Sequence, residues 1–117
     1  MPVSILVADD EKAMLRLYLR IFAGSGYSIS TAGTFAEAAA LLRKNSYDLL
    51  ITDFIFPDGV GTELIKIFNE VKAGSRSLLV TGTPYAREKL AKQGVHRYIE
   101  KPFKMELLLD AVSKALW

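Results

Sequence analysis

The chain has 117 residues, enough for one substantial core and too few for two. Half of them are hydrophobic and 24% charged, the balance of a folded domain rather than a disordered tail. With no cysteine and a net charge of only +2, disulfides, thiolate metal sites and a strongly basic nucleic-acid-binding face are set aside. The densest basic grouping, Arg87, Lys89, Lys92 and Arg97, falls at helical spacing and reads as a solvated face, so direct nucleic-acid binding is not expected. No apolar run approaches the roughly 20 residues of a membrane helix. The start, Met1-Pro2-Val3-Ser4, lacks the layout of a secretory signal, so a cytoplasmic protein without membrane attachment is expected.

In chain order, Val3–Ala8 is an apolar run bounded by aspartates and predicts a buried strand. Asp10 is placed to cap a helix from Glu11 to about Ala23, ended by Gly24-Ser25-Gly26. Ser28–Ala32 predicts a second strand, and Thr34 caps an alanine-rich helix through Lys44. A third strand, Asp48–Thr52, ends at Asp53, and a Pro57-Asp58-Gly59 turn leads into a helix from about Thr62 to Lys72. Ser77–Thr81 is the fourth strand. A helix from about Tyr85 to Lys92 follows and stops at Gly94. Arg97–Glu100 is the fifth strand, and Lys104 to about Leu116 the last helix.

Strands and helices alternate five times, without repeat or linker, and the strands are apolar on both faces. That pattern predicts a doubly wound α/β domain over residues 1–117, a five-stranded parallel sheet with helices on both sides. Ligands of such sheets bind beyond the carboxyl ends of the strands, where strand order reverses. The polar residues at those ends are Asp9, Asp10 and Glu11, then Asp53, then Thr81, then Lys101-Pro102. Singly, each has an ordinary explanation as a helix cap, turn residue or solvated lysine. Together on one rim they make a coherent chemical set. Clustered carboxylates repel unless a divalent cation joins them, and hard oxygen donors favour Mg²⁺. A carboxylate beside that ion can attack phosphorus. The ammonium of Lys101, the hydroxyl of Thr81 and the N–H of Gly82 can then hold the phosphoryl oxygens.

The combination Asp9-Asp10-Glu11, Asp53 with Phe56-Pro57-Asp58-Gly59, Val80-Thr81-Gly82 and Tyr98-Ile99-Glu100-Lys101-Pro102-Phe103 resembles the receiver domain of two-component response regulators. The resemblance spans essentially the whole chain and implies the flavodoxin-like, CheY-like arrangement. It implies Asp53 as phosphoacceptor, with Mg²⁺ held by Asp10, Asp53 and the main-chain carbonyl of Ile55, and by Asp9 through water. It further implies phosphate contacts from Lys101, a cis bond to Pro102, and a switch pair of Thr81 and Tyr98. Phosphorylation then reshapes the surface of the fourth helix, fifth strand and fifth helix. The implied partners are a histidine kinase or histidine phosphotransfer protein and a downstream effector or output domain, with a phosphorylation-dependent homodimer left open.

Two flanking positions, Ile55 and Thr83, lack groups suited to orienting a hydrolytic water, which leads us to expect slow self-dephosphorylation. The first helix has an apolar arc of about 200°, wider than one buried face needs. Met14 and Leu15 are the expected exposed edge, beside the site, for meeting the phosphodonor. His96 is expected at a strand end without a chemical role, and Trp117 at the end of the last helix. Two other functions compete. A phosphatase forming an aspartyl phosphate would carry a second Asp where Ile55 stands, and an interaction module that never takes phosphate would lack one of the acid, Thr or Lys positions.

Overall fold

The computed structural model describes residues 2–82, 86–92, 95 and 97–117. Thr83, Tyr85, Gly94 and His96, singled out above, lie outside them. Strands β1 (Ser4–Ala8), β2 (Ser28–Ala32), β3 (Leu49–Asp53), β6 (Ser77–Thr81) and β7 (Tyr98–Glu100) form one sheet in the order β2-β1-β3-β6-β7. Every pairing in it is parallel. Helices α1 (Lys12–Phe22), α2 (Phe35–Lys44), α3 (Gly61–Val71) and α4 (Ala86–Lys92) connect the strands, and α5 (Met105–Leu116) follows β7. The strand order reverses between β1 and β3, which opens a crevice at their carboxyl ends.

The strand sequences explain the layering. Side chains alternate along a strand, so an apolar run with no polar break needs a cover on each face. Ile5, Val7, Leu49 and Ile51 pack under Tyr18 and Phe22 of α1 and Leu108 and Val112 of α5. Their neighbours Leu6, Ala8 and Leu50 pack on the other face with Ala38 and Leu42 of α2 and Leu64 and Phe68 of α3. A smaller group, Leu79 and Leu90, seats α4, with Tyr98 and Phe54 against it.

Three local features differ from the sequence expectation. Asp10 does not cap α1: the N-cap is Glu11, with no side-chain cap bond, and it is Asp9 that turns back, its Oδ1 accepting the Glu11 N–H at 2.9 Å. The stretch after Asp53 is a short antiparallel hairpin, β4 (Ile55–Phe56) and β5 (Gly59–Val60), which runs directly into α3 at Gly61. Leu15 packs against the α1–α5 core, as does Met14, whereas Leu17 and Leu19 are the exposed apolar residues of α1, at 37% and 47%. Other expectations hold: Thr34 Oγ1 accepts the Glu37 N–H at 3.0 Å, and α1 stops where Gly24 and Gly26 take positive φ. Among the described residues no helix is long and apolar enough to cross a membrane.

Candidate functional site

Parallel strands deliver their last residues to one rim, and the crevice between β1 and β3 receives them. Asp9 follows β1 and is wholly buried; its N–H extends the ladder to Ala32 O at 3.1 Å. Asp10 beside it is exposed. Asp53 closes β3, half-buried, with Oδ1 accepting the Phe54 N–H at 2.8 Å. One carboxylate oxygen from each of Asp9, Asp10 and Asp53 lies within 4.8 Å of the other two. Lys101 follows β7, fixed by its N–H to Thr81 O at 2.8 Å, and its peptide bond to Pro102 is cis.

Charge governs this arrangement. The Lys101 ammonium lies 3.0 Å from Asp9 Oδ2, 3.4 Å from Asp53 Oδ2 and 3.6 Å from Glu11 Oε1. Burial pushes the Asp53 carboxyl above its ordinary range; Lys101 pulls it back, while the charge of Asp9 adds to the rise. Burial acts to lower the Lys101 ammonium, but its bond to Asp9 and the charges of Asp53, Asp9 and Glu11 outweigh that and hold it above the usual lysine value. One cation among the neighbouring acids leaves net negative charge at the rim. The donors are all oxygen, and their carboxylates are close enough to share a single ion. A hard divalent cation such as Mg²⁺ fits that set.

Thr81 ends β6 and is buried, and Tyr98 begins β7, half-buried. The register pairs Leu79 with Tyr98 and Thr81 with Glu100, so Thr81 and Tyr98 share one face of the sheet. Tyr98 meets the α4 layer there. Gly82 is exposed, and a Cβ built on it would meet nothing within 4 Å, so space alone does not demand glycine. Ile55 is 57% exposed beside Asp53. An apolar groove of about 340 Å³ adjoins the site, lined by Glu11, Met14, Leu17, Lys101, Pro102 and Phe103.

Three further residues shape the site and were given no role in it from sequence, although Asp58 stands in the Phe56-Pro57-Asp58-Gly59 motif. A Cβ on Gly61 would stand 2.0 Å from the Asp53 carbonyl oxygen, so that backbone approach requires glycine. Tyr18, buried against Phe103, has its phenol pushed up by burial and by the charges of Asp9 and Asp53. Asp58, at the hairpin tip, reaches the first turn of α2. A glycine just ahead of a helix was the available signal for Gly61; the other two contacts are tertiary and leave no local trace.

The sequence profile described as "Response regulator receiver domain" matches residues 5–113. The response regulator MprA of Mycobacterium sp. (strain KMS) is 32% identical over 118 residues, covering 99% of this chain and 51% of that protein. The DNA-binding transcriptional regulator NtrC of Azospirillum brasilense is 30% identical over 115 residues, covering 97% of this chain and 24% of that protein. The chain thus spans about half of one relative and a quarter of the other. A response regulator receiver domain protein (CheY-like) from Methanospirillum hungatei JF-1 superposes with a TM-score of 0.89 at 28% identity, over 99% of this chain and 94% of that one. A response regulator receiver protein from Sinorhizobium medicae WSM419 gives 0.89 at 27% identity, over 98% and 94%. Motif order, sheet topology and profile agree, and this chain belongs to the receiver domain family of two-component response regulators.

Proposed function

We propose that the domain, residues 1–117, takes a phosphoryl group onto Asp53 from a phosphohistidine donor and signals by the change in surface that follows. The observation carrying this is the convergence on Asp53, at the end of β3, of two further carboxylates from the end of β1 and one lysine from the end of β7. An oxygen of Asp53 attacks phosphorus, the donor's N–P bond breaks, and the imidazole leaves with its electron pair and takes a proton from solvent. Asp10, Asp53 and the Ile55 carbonyl would hold Mg²⁺, with Asp9 contributing through water. The ion supplies charge neutralisation for the transferring group. Lys101 exchanges part of its contact with Asp53 for the phosphoryl oxygens, and the Thr81 hydroxyl and Gly82 N–H donate to them. The Thr81 shift draws Tyr98 inward, altering the surface formed by α4, β7 and α5.

The partners in this reading are a histidine kinase or histidine phosphotransfer protein on the input side and an effector or output domain on the other. A phosphorylation-dependent homodimer is a further route for output, and the setting is cytoplasmic. The donor docks on the groove beside Leu17, Pro102 and Phe103, where apolar surface borders the site. Ile55 shields the acyl phosphate and gives it a long lifetime. Self-dephosphorylation is the only turnover in this scheme, which separates it from a phosphatase; the position where such an enzyme needs its second acid holds Ile55.

Intact-mass measurement after incubation with acetyl phosphate and Mg²⁺ tests the reading. One added phosphoryl group is expected, absent with EDTA and absent in Asp53→Asn. An unchanged mass in all samples would make the domain an interaction module, and turnover of a small phosphomonoester would make it a phosphatase.

A further inference from the structure

The hairpin after Asp53 is held at both ends. At its base, Gly61 N–H donates to Phe54 O at 2.5 Å, and Gly61 lies flat against the Asp53 carbonyl. At its tip, Asp58 Oδ1 accepts the Phe35 N–H at 2.9 Å and Oδ2 the Ala36 N–H at 3.1 Å. These are first-turn amides of α2, groups that a helix cannot satisfy internally. The capping Thr34 takes only the Glu37 N–H, so a carboxylate from the other segment completes the cap. Gly59 presses onto the Phe35 ring so closely that a Cβ there would sit 2.5 Å from ring atoms. Phe56, on the opposing strand, is buried in the α2–α3 core. The hairpin therefore has little freedom, and Ile55 is on its first strand.

We propose that Asp58 is a positioning residue for the cation site: by seating the hairpin tip on α2, it holds the main-chain carbonyl of Ile55 in place for Mg²⁺. This rests on the reading that Asp10, Asp53 and the Ile55 carbonyl share the ion. A carbonyl on a tethered hairpin loses less freedom on binding than one on a loose loop. Groups that orient metal ligands in this way commonly change affinity by on the order of 10-fold. The two N–H bonds also keep the Asp58 carboxyl below its ordinary range, so the tether is ionised at neutral pH.

The test compares two lost caps on one helix. Thr34→Ala and Asp58→Ala each remove an acceptor from the start of α2, but only Asp58 touches the hairpin. Calorimetric titration with Mg²⁺ alone is expected to give a Kd raised roughly 10-fold in Asp58→Ala. Thr34→Ala should stay within about twofold of wild type, since its loss leaves the hairpin anchored. Asp58→Asn, which keeps one acceptor oxygen, should fall between, and it carries the comparison if Asp58→Ala fails to fold. In metal-free protein, amides from Ile55 to Val60 should exchange hydrogen faster in the Asp58 variants and not in Thr34→Ala. An unchanged Kd in both Asp58 variants, with wild type binding normally, overturns this proposal alone. Absence of Mg²⁺ binding by wild type overturns the metal reading and this one together.

Discussion

The ammonium nitrogen of Lys101 stands 3.4 Å from Oδ2 of Asp53, although the two residues arrive from β7 and β3, strands separated in the sheet by β6. The same nitrogen is 3.0 Å from the fully buried Asp9. In the metal-free protein Lys101 thus places a positive charge among the acids of the cluster, and the proposed phosphotransfer would turn that same ammonium toward the phosphoryl oxygens.

Removing that cation exposes its structural share. Lys101→Met should destabilise the protein in EDTA by roughly 3 kcal/mol, because it leaves buried carboxylate charge uncompensated. Millimolar Mg²⁺ should return part of the loss by supplying positive charge to the same oxygens. Urea unfolding with and without Mg²⁺ reads both quantities. Equal stability of the variant in the two conditions would separate the ion from the acidic cluster.

Gly61 makes a steric prediction. Gly61→Ala places a methyl group against the Asp53 main chain, which cannot swing aside, and should cost about 2–3 kcal/mol. It should also slow labelling by acetyl phosphate, since the reacting residue must shift. Gly59→Ala meets the Phe35 ring, an adjustable side chain, and should cost less. Denaturation midpoints of the two variants test the order.

The pH dependence follows from Asp53. Its folded-state pKa lies above the unfolded value through burial, so the folded form binds this proton more tightly. Its contribution to stability is therefore greatest below the ordinary carboxylate pKa, and is lost as pH rises through the raised value. In metal-free protein, Asp53→Asn should be more stable than wild type at neutral pH, with the gap closing on acidification. Thermal melts between pH 4 and about 7.5 measure it; a gap that widens at low pH would reverse the assignment.

For docking, Leu17→Asp should reduce phosphotransfer from a cognate histidine kinase about tenfold or more, as loss of a buried apolar anchor does. Labelling by acetyl phosphate should be unchanged, because Leu17 contributes no group to the chemistry. Equal loss with both donors would point to a damaged site instead of a lost contact.

Most of the framework was legible in the sequence because long apolar runs and strand-end acids carry their own signal. Val3–Ala8 and Ser77–Thr81 could be read as doubly buried strands, and Asp9, Asp53, Thr81 and Lys101 stand where parallel strands bring them together. The β4–β5 hairpin was not legible: two-residue strands have no periodicity, and Pro57-Asp58-Gly59 reads as a turn either way. Asp10 looked like a helix cap because spacing cannot tell which of two adjacent aspartates turns back; Asp9 does. The exposed edge of α1 was misplaced in part because an apolar arc does not reveal which side the core takes: Leu15 packs against the α1–α5 core, whereas Leu17 is left open and lines the groove with the partly buried Met14. The grip of Asp58 on Phe35 joins segments far apart in the chain and has no local signature.

A crystal structure grown with Mg²⁺ and beryllofluoride, a stable mimic of the phosphoryl group, tests the central claim most directly. The account predicts beryllium bonded to an Asp53 carboxylate oxygen, Mg²⁺ on Asp10, Asp53 and the Ile55 carbonyl, and fluorines facing Lys101 Nζ and Thr81 Oγ1. Beryllofluoride on another side chain, or an Asp53 adduct with Lys101 still paired to Asp9 and turned from the fluorines, would contradict it.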